Sequence, residues 1–166
     1  ITSGSISLVG DTSRGEGASL YGVGIGAATV IGAFLNTNNT ALTSLSVTNI
    51  NIEDLDISAP LIGRAMLGGI VGCCGNTTAK NIQSRIQNVD IKNVDINKEV
   101  KRFAFNGGII GLVKEGVKKC EISNVKIIGD KNNKNTITGY RHRGGIIGVT
   151  SSDTIIDNCL IENYEI

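Results

Sequence analysis

The sequence predicts an all-β chain, a parallel β-helix (β-solenoid) with about four degenerate repeats of 37–40 residues. Three observations predict it. A Gly-Gly-aliphatic-aliphatic-Gly motif returns at nearly constant spacing, and a second motif centred on Asn travels with it. The apolar residues are rich in β-branched types and carry no sustained 3.6-residue stripe, which favours strands over helices. At 166 residues the chain suffices for one domain, in which a repeat architecture buries its core as a column.

The first motif reads Gly68, Gly69, Ile70, Val71, Gly72, then Gly107, Gly108, Ile109, Ile110, Gly111, then Gly144, Gly145, Ile146, Ile147, Gly148. The starts are 107 − 68 = 39 and 144 − 107 = 37 residues apart, and a worn copy, Ala28, Thr29, Val30, Ile31, Gly32, lies 68 − 28 = 40 residues earlier. Gly supplies positive φ at a turn and lets backbones approach closely, so the Gly pairs are expected at turns. Consecutive aliphatics such as Ile109 and Ile110 would point to opposite faces of a flat strand. At least one of each pair is then expected at a corner or against a neighbouring layer.

The second motif reads aliphatic, any, Asn, apolar, any, aliphatic over 47–52, 86–91, 122–127 and 156–161, with Asn49, Asn88, Asn124 and Asn158 at its third position. Strict alternation puts the first aliphatic and the Asn on one face, yet the later apolar residues, such as Val125 and Ile127, have the opposite parity. The chain must bend near the Asn. Asn tolerates the left-handed conformation a bend requires, and equivalent Asn side chains about 4.8 Å apart are spaced to form a hydrogen-bonded ladder. These four Asn are therefore read as corner residues, with a plain turn role as the alternative to a ladder.

Between the motifs, Ile86, Val89, Ile91, Val94 and Ile96 alternate with Asp90, Lys92 and Asp95, apolar side in and charge out. The Lys- and Asn-rich stretch 130–138 reads as a polar loop. Residues 1–27 are Gly- and Ser-rich and fit the repeat poorly, so they are assigned to an irregular cap or joining segment, with the repeats over 28–166. Strand-like text at Ile1 and Ile166 suggests a mature chain or an excerpt from a longer array.

Gly108, Ile109, Ile110, Gly111 and Gly145, Ile146, Ile147, Gly148, followed by Asn158 and Cys159, make the chain resemble the GLUG-motif family, found in bacterial surface adhesins and other large extracellular proteins. Ile replaces the family's usual Leu, and Cys73, Leu112 and Val149 stand where an aromatic residue is common. The resemblance covers roughly residues 28 to 166. It implies a β-solenoid in a secreted or cell-surface protein, often adhesive, and implies no catalytic residues.

The chemistry-bearing residues are sparse. Cys73, Cys74, Cys120 and Cys159 lack the paired spacing of a zinc site, and His142 is the single imidazole. In repeat register Cys159 matches Val125, Val89 and Ile50, which marks it as a small buried hydrophobe, and Cys120 matches Leu45. Free buried thiols are expected; a link from Cys73 or Cys74 to Cys120 in an oxidising compartment is the alternative. His142 between Arg141 and Arg143 is a poor partner for an orienting carboxylate and reads as an exposed loop residue. The carboxylates Glu53, Asp54, Asp56, Asp90 and Asp95 fit the solvent side of strands; glycan processing on a β-helix is what they would serve otherwise. The sequence thus implies no enzyme, no cofactor and no metal.

Phe103 and Tyr140 each precede a Gly pair by four residues, and with Arg141 and Arg143 they form the candidate ligand surface. Arg141, His142 and Arg143 with Lys118 and Lys119 make a candidate basic patch for acidic glycans, with a solvated loop as the alternative. Asn38 and Asn76 satisfy the glycosylation pattern through Thr40 and Thr78. Net charge is +1, with −4 over residues 1–60, an axial gradient that would favour head-to-tail packing in a solenoid. Nucleic acid and membrane insertion are not expected, since no basic excess and no apolar run of about 18 residues is present. The expected partners are other copies of the chain, adjacent repeats of a longer chain, or glycans, as suits a structural or adhesive filament-type module.

Overall fold

The computed structural model describes residues 4–7, 25–28, 31–34, 44–58, 64–74, 82–96, 103–114, 117–132, 134–138 and 142–166. Among these the chain is all-β, with parallel pairing throughout and no helix, an arrangement compatible with a β-helix. The strands are β1 (Gly4–Ser7), β2 (Ile25–Ala28), β3 (Ile31–Phe34), β4 (Ser44–Ser58), β5 (Arg64–Gly68), β6 (Val71–Cys74), β7 (Ile82–Ile96), β8 (Phe103–Gly107), β9 (Ile110–Val113), β10 (Val117–Ile128), β11 (Asn135–Thr136), β12 (His142–Gly144), β13 (Ile147–Thr150), β14 (Thr154–Glu162) and β15 (Tyr164–Glu165). They form sheets in the orders β1-β4-β7-β10-β14, β2-β5-β8-β12 and β3-β6-β9-β13, with β11-β15 as a small pair. Each sequence repeat contributes one strand to each of the three larger sheets.

Pairing follows the sequence repeat residue for residue. Val47, Ile86, Ile122 and Ile156 lie in register, as do Ile50, Val89, Val125 and Cys159. Ala28 pairs with Gly68, and Ile31 with Val71, so the worn copy is aligned with the intact ones. The boundary expected at residue 28 falls within β2, and Gly4–Ser7 of the expected cap is β1, paired with the end of β4.

The long strands are bent in two places. In β7 the buried residues are Ser84 and Ile86, Val89 and Ile91, Val94 and Ile96, so inward pairs recur every five residues. A flat strand has period two and would not keep such pairs on one face. The phase is reset at Asn88 and Asn93, whose φ angles are 54° and 52°; the same pairing of corners occurs at Asn49 and Asp54 (59° and 56°) and at Asn158 and Asn163 (49° and 58°). Asn and Asp reach this left-handed region at lower cost than other side chains, which is why both corners use them. In the third repeat the first corner is Asn124, φ 54°, and the residue five later is Gly129.

The Gly pairs work by close approach. None of Gly68, Gly69, Gly107, Gly108, Gly111, Gly129, Gly144, Gly145 and Gly148 has φ in the left-handed region, so the expectation of positive φ at these turns is corrected. A Cβ on Gly68 would lie 2.1 Å from the Val71 carbonyl oxygen, and one on Gly108 would lie 2.1 Å from the Gly145 oxygen of the next repeat. The first Gly lets the chain fold back within a repeat. The second lets successive repeats stack. The amides of Ile70 and Val71 both donate to the Ile109 oxygen, at 3.0 and 2.9 Å, and those of Ile109 and Ile110 both donate to the Ile146 oxygen. Two successive N–H groups therefore point the same way. That bend lets consecutive aliphatics share the core, in which Ile70, Val71, Ile109 and Ile110 are all fully buried.

The main core runs between the sheets, joining Leu67, Val71 and Cys74 to Ile86, Ile91 and their equivalents in neighbouring repeats. A smaller cluster, Met66, Cys73 and Leu112 with Phe105 and Val149 against it, lies apart from it on β5, β6, β8, β9 and β13. The stretch 130–138 is not wholly a loop: it contains β11, and Ile137 bridges to Ile96. Asn135 Oδ1 accepts from the Asp130 amide, and Asp95 accepts from the amide and hydroxyl of Thr136, which fastens the segment to the sheet.

Candidate interaction surfaces

The Asn corners form a continuous ladder on the outside of the first sheet. Asn88 Nδ2 donates to Asn49 Oδ1 at 3.1 Å, Asn124 to Asn88 at 3.2 Å, and Asn158 to Asn124 at 2.7 Å. Asn88 and Asn124 each donate toward the preceding repeat and accept from the following one, which the strand spacing of about 4.8 Å permits. The second corner adds a shorter ladder, with Asn93 donating to Asp54 Oδ1 at 3.0 Å and Asn163 to the Gly129 oxygen at 3.3 Å. This second set was missed from sequence. Its signal was there: Asp54, Asn93, Gly129 and Asn163 each follow a first-corner Asn by five residues.

Three other outward polar pairs are also engaged between repeats. Lys92 meets Glu53 at 3.1 Å, Gln87 donates to Ser123 at 2.9 Å, and Arg85 donates through Nε and Nη2 to Glu121 at 3.1 and 3.0 Å. Lys119 pairs with Glu121 as well. Hydrogen bonds from Lys119 and then Arg85 hold the Glu121 carboxyl below its ordinary pKa. The candidate acids are thus dispersed: Glu53 and Asp54 face partners in the next repeat, and Asp95 anchors Thr136. A shallow groove follows the first ladder, lined by Asn88, Asp90, Asn124, Lys126, Asn158 and Leu160.

The basic patch is not assembled as expected. Lys118 and Lys119 lie on β10 in the first sheet, whereas His142 and Arg143 lie on β12 in the second. His142 is in a strand, exposed, its ring stacked on Phe105 with centroids 5.0 Å apart. Arg143 is exposed. Phe103 begins β8, but its side chain, Tyr140, Arg141, Asn38 and Asn76 lie outside the described residues.

All four thiols are free. Cys74 and Cys120 are buried with Ser84 beside both, and burial raises their pKa to about 12 and about 11. Cys73 is pushed to about 11 by burial in the smaller cluster. Cys159 is half-buried, unlike Val125 and Val89 in its register, because β14 is the edge strand. Such thiols are poor nucleophiles and ligands in the folded chain, since the reactive form is the thiolate. Among the described residues no cluster of three or more His, Cys, Asp or Glu is set to hold a metal, and no helix is long and apolar enough to cross a membrane.

Burial differs between the repeats. In β4, Leu45, Val47, Ile52, Leu55 and Ile57 are at most 6 % exposed, whereas Ile156 and Ile166 of the last repeat are 49 % and 47 % exposed. Charge does not form a simple gradient. Residues 61–138 carry thirteen bases and six acids (+7), and residues 139–166 carry two bases and four acids (−2), so −4 + 7 − 2 = +1 and both ends are acidic. Comparison with protein-family models, curated proteins and solved structures found no match.

Proposed function

We propose that the chain is a parallel β-solenoid of about four degenerate repeats that serves as an extracellular structural or adhesive module, secreted or at a cell surface. One observation carries this reading: the outward polar side chains are engaged along the stacking direction, Asn to Asn, Lys92 to Glu53, Arg85 to Glu121. Groups tied to equivalents in the next repeat stiffen a rod; they are not gathered around a substrate. The Gly-Ile-Ile-Gly and Asn-Cys resemblance to the GLUG-motif family supports the extracellular setting.

A second reading is favoured by the groove along Asn88, Asn124 and Asn158, where Asp90 and Lys126 add charge and Leu160 adds an apolar surface. An elongated polar ligand such as a glycan chain suits that lining. Electron microscopy for rods or filaments, run beside a glycan-binding and depolymerisation screen, separates the two. Rods without glycan activity support the structural role. Saccharide cleavage abolished by Asp90→Asn or Lys126→Ala overturns it.

A further inference from the structure

Two acid–base neighbours on the first sheet are closed as ion pairs, Lys92 with Glu53 and Arg85 with Glu121. A third, Asp90 and Lys126, is not. These two are in register on β7 and β10 and both are exposed, yet among the described residues neither has an ion pair or a side-chain hydrogen bond. Both strands are interior to the first sheet, β7 between β4 and β10, and β10 between β7 and β14. A segment that continues the stack at either end adds beside the sheet and does not pass over these side chains.

The two free charges line the groove beside Asn88 and Asn124. Within the ladder each of these amides uses one N–H and one lone pair, and a primary amide has two of each. Along the stack the groove therefore offers an anion at β7 and a cation at β10, one strand spacing of about 4.8 Å apart, beside a row of spare amide donors and acceptors.

That set selects among ligands. A peptide recognised by strand addition needs an unpaired sheet edge, and the backbones of β7 and β10 are paired on both sides. A free amino acid carries both charges but leaves the amides unanswered. A purely anionic or purely cationic polymer meets one of the two side chains as a like charge. A glycan in which an amino sugar adjoins a uronic acid brings a cation, an anion and hydroxyl groups together.

We propose that this groove binds a zwitterionic glycan, its chain running along the stack, with an unacetylated amino sugar at Asp90 and the neighbouring uronate at Lys126. This deepens the reading of the chain as an adhesive module, and rests on it. Opening Asp90 and Lys126 to a ligand costs little, because an exposed pair is held weakly even when it closes. Contacts of this kind bind weakly one at a time, and repetition along a polymer multiplies them.

The probe is a hexasaccharide of de-N-acetylated hyaluronan, in which glucosamine alternates with glucuronate, with a hyaluronan hexasaccharide as the anionic control and a chitosan hexasaccharide as the cationic one. Binding to the whole protein is followed by NMR titration in slightly acidic buffer, where the amine is protonated and the uronate ionised, and circular dichroism establishes that each variant is folded. The zwitterionic probe should bind about fivefold or more tightly than either control. Asp90→Asn should remove its advantage over hyaluronan and Lys126→Gln its advantage over chitosan. Lys92→Gln, a change in a pair that is already closed, should leave its affinity within about twofold. Equal affinity for the three probes, or affinity indifferent to Asp90→Asn and Lys126→Gln, overturns the proposal and leaves a glycan-binding module standing. Equal binding of an alternating Lys-Glu peptide overturns the assignment to a glycan. No binding of any probe overturns the proposal together with glycan adhesion, and leaves only the structural rod.

Discussion

Replacing Asn124 isolates what a corner residue contributes. It is interior to the ladder, donating to Asn88 at 3.2 Å and accepting from Asn158 at 2.7 Å, with φ at 54°. Asn124→Gly keeps the left-handed backbone available and removes both hydrogen bonds. Each bond contributes about 0.5–1.5 kcal/mol net, and because the site is exposed the lower half applies, so the loss is about 1–2 kcal/mol. Asn124→Ala removes the same bonds and forces a Cβ into the left-handed region, at about 1–2 kcal/mol more. Against that, Gly loses more chain entropy on folding by about 0.5–1 kcal/mol, so Ala should fall below Gly by roughly 0.5–1 kcal/mol. For a chain of this size 1 kcal/mol moves the midpoint by about 2–4 °C. Thermal and urea unfolding should therefore rank wild type above Gly and Gly above Ala. A Gly variant as stable as wild type would show that the ladder contributes nothing, and an Ala variant at or above Gly would refute the left-handed corner.

Three further outcomes follow from the same geometry. Gly108→Ala should destabilise by about 3 kcal/mol or more, because its Cβ meets the Gly145 oxygen at 2.1 Å, while Gly145→Ala at the equivalent position meets the Ile161 terminal methyl and should cost under about 1 kcal/mol; equal effects in urea unfolding would contradict the stacking. The Cys73, Cys74 and Cys120 thiols have pKa values raised in the fold from 9.0 to about 11, 12 and 11, so their neutral form is favoured there. The stability this gives is whole below about pH 9 and is lost as pH rises toward 12, and Cys74→Ala should flatten that alkaline loss in pH-dependent unfolding. Arg85→Ala should lower the midpoint less than Asn124→Gly does, since the Arg85–Glu121 pair is at the surface and screened; a drop that exceeds it and persists in high salt would contradict this.

Much of the stacking was legible because it depends on residue type at fixed spacing. The phase break around Asn124 requires a bend wherever the strand sits, and Asn is a residue that a left-handed bend accepts. The same spacing puts Cys159 in register with Val125 and Cys120 with Leu45. The second corner was not legible, although Asp54, Asn93 and Asn163 are of the right type, because a charged or polar residue on a strand already has a reading as solvent-facing. For the Gly pairs close approach holds and positive φ does not: Gly is compatible with both, and composition does not choose between them.

By itself, the sequence determined the all-β character, the repeat period and the corner Asn, since these follow from local backbone preference and side-chain parity. Only the tertiary structure decided that Gly108 faces a carbonyl oxygen, that Glu53 and Glu121 are tied to cations of other repeats, and that Lys119 and Arg143 lie on different sheets. These depend on which atoms of a neighbouring repeat lie one strand spacing away, a relation across 34–39 residues of chain that no local pattern encodes.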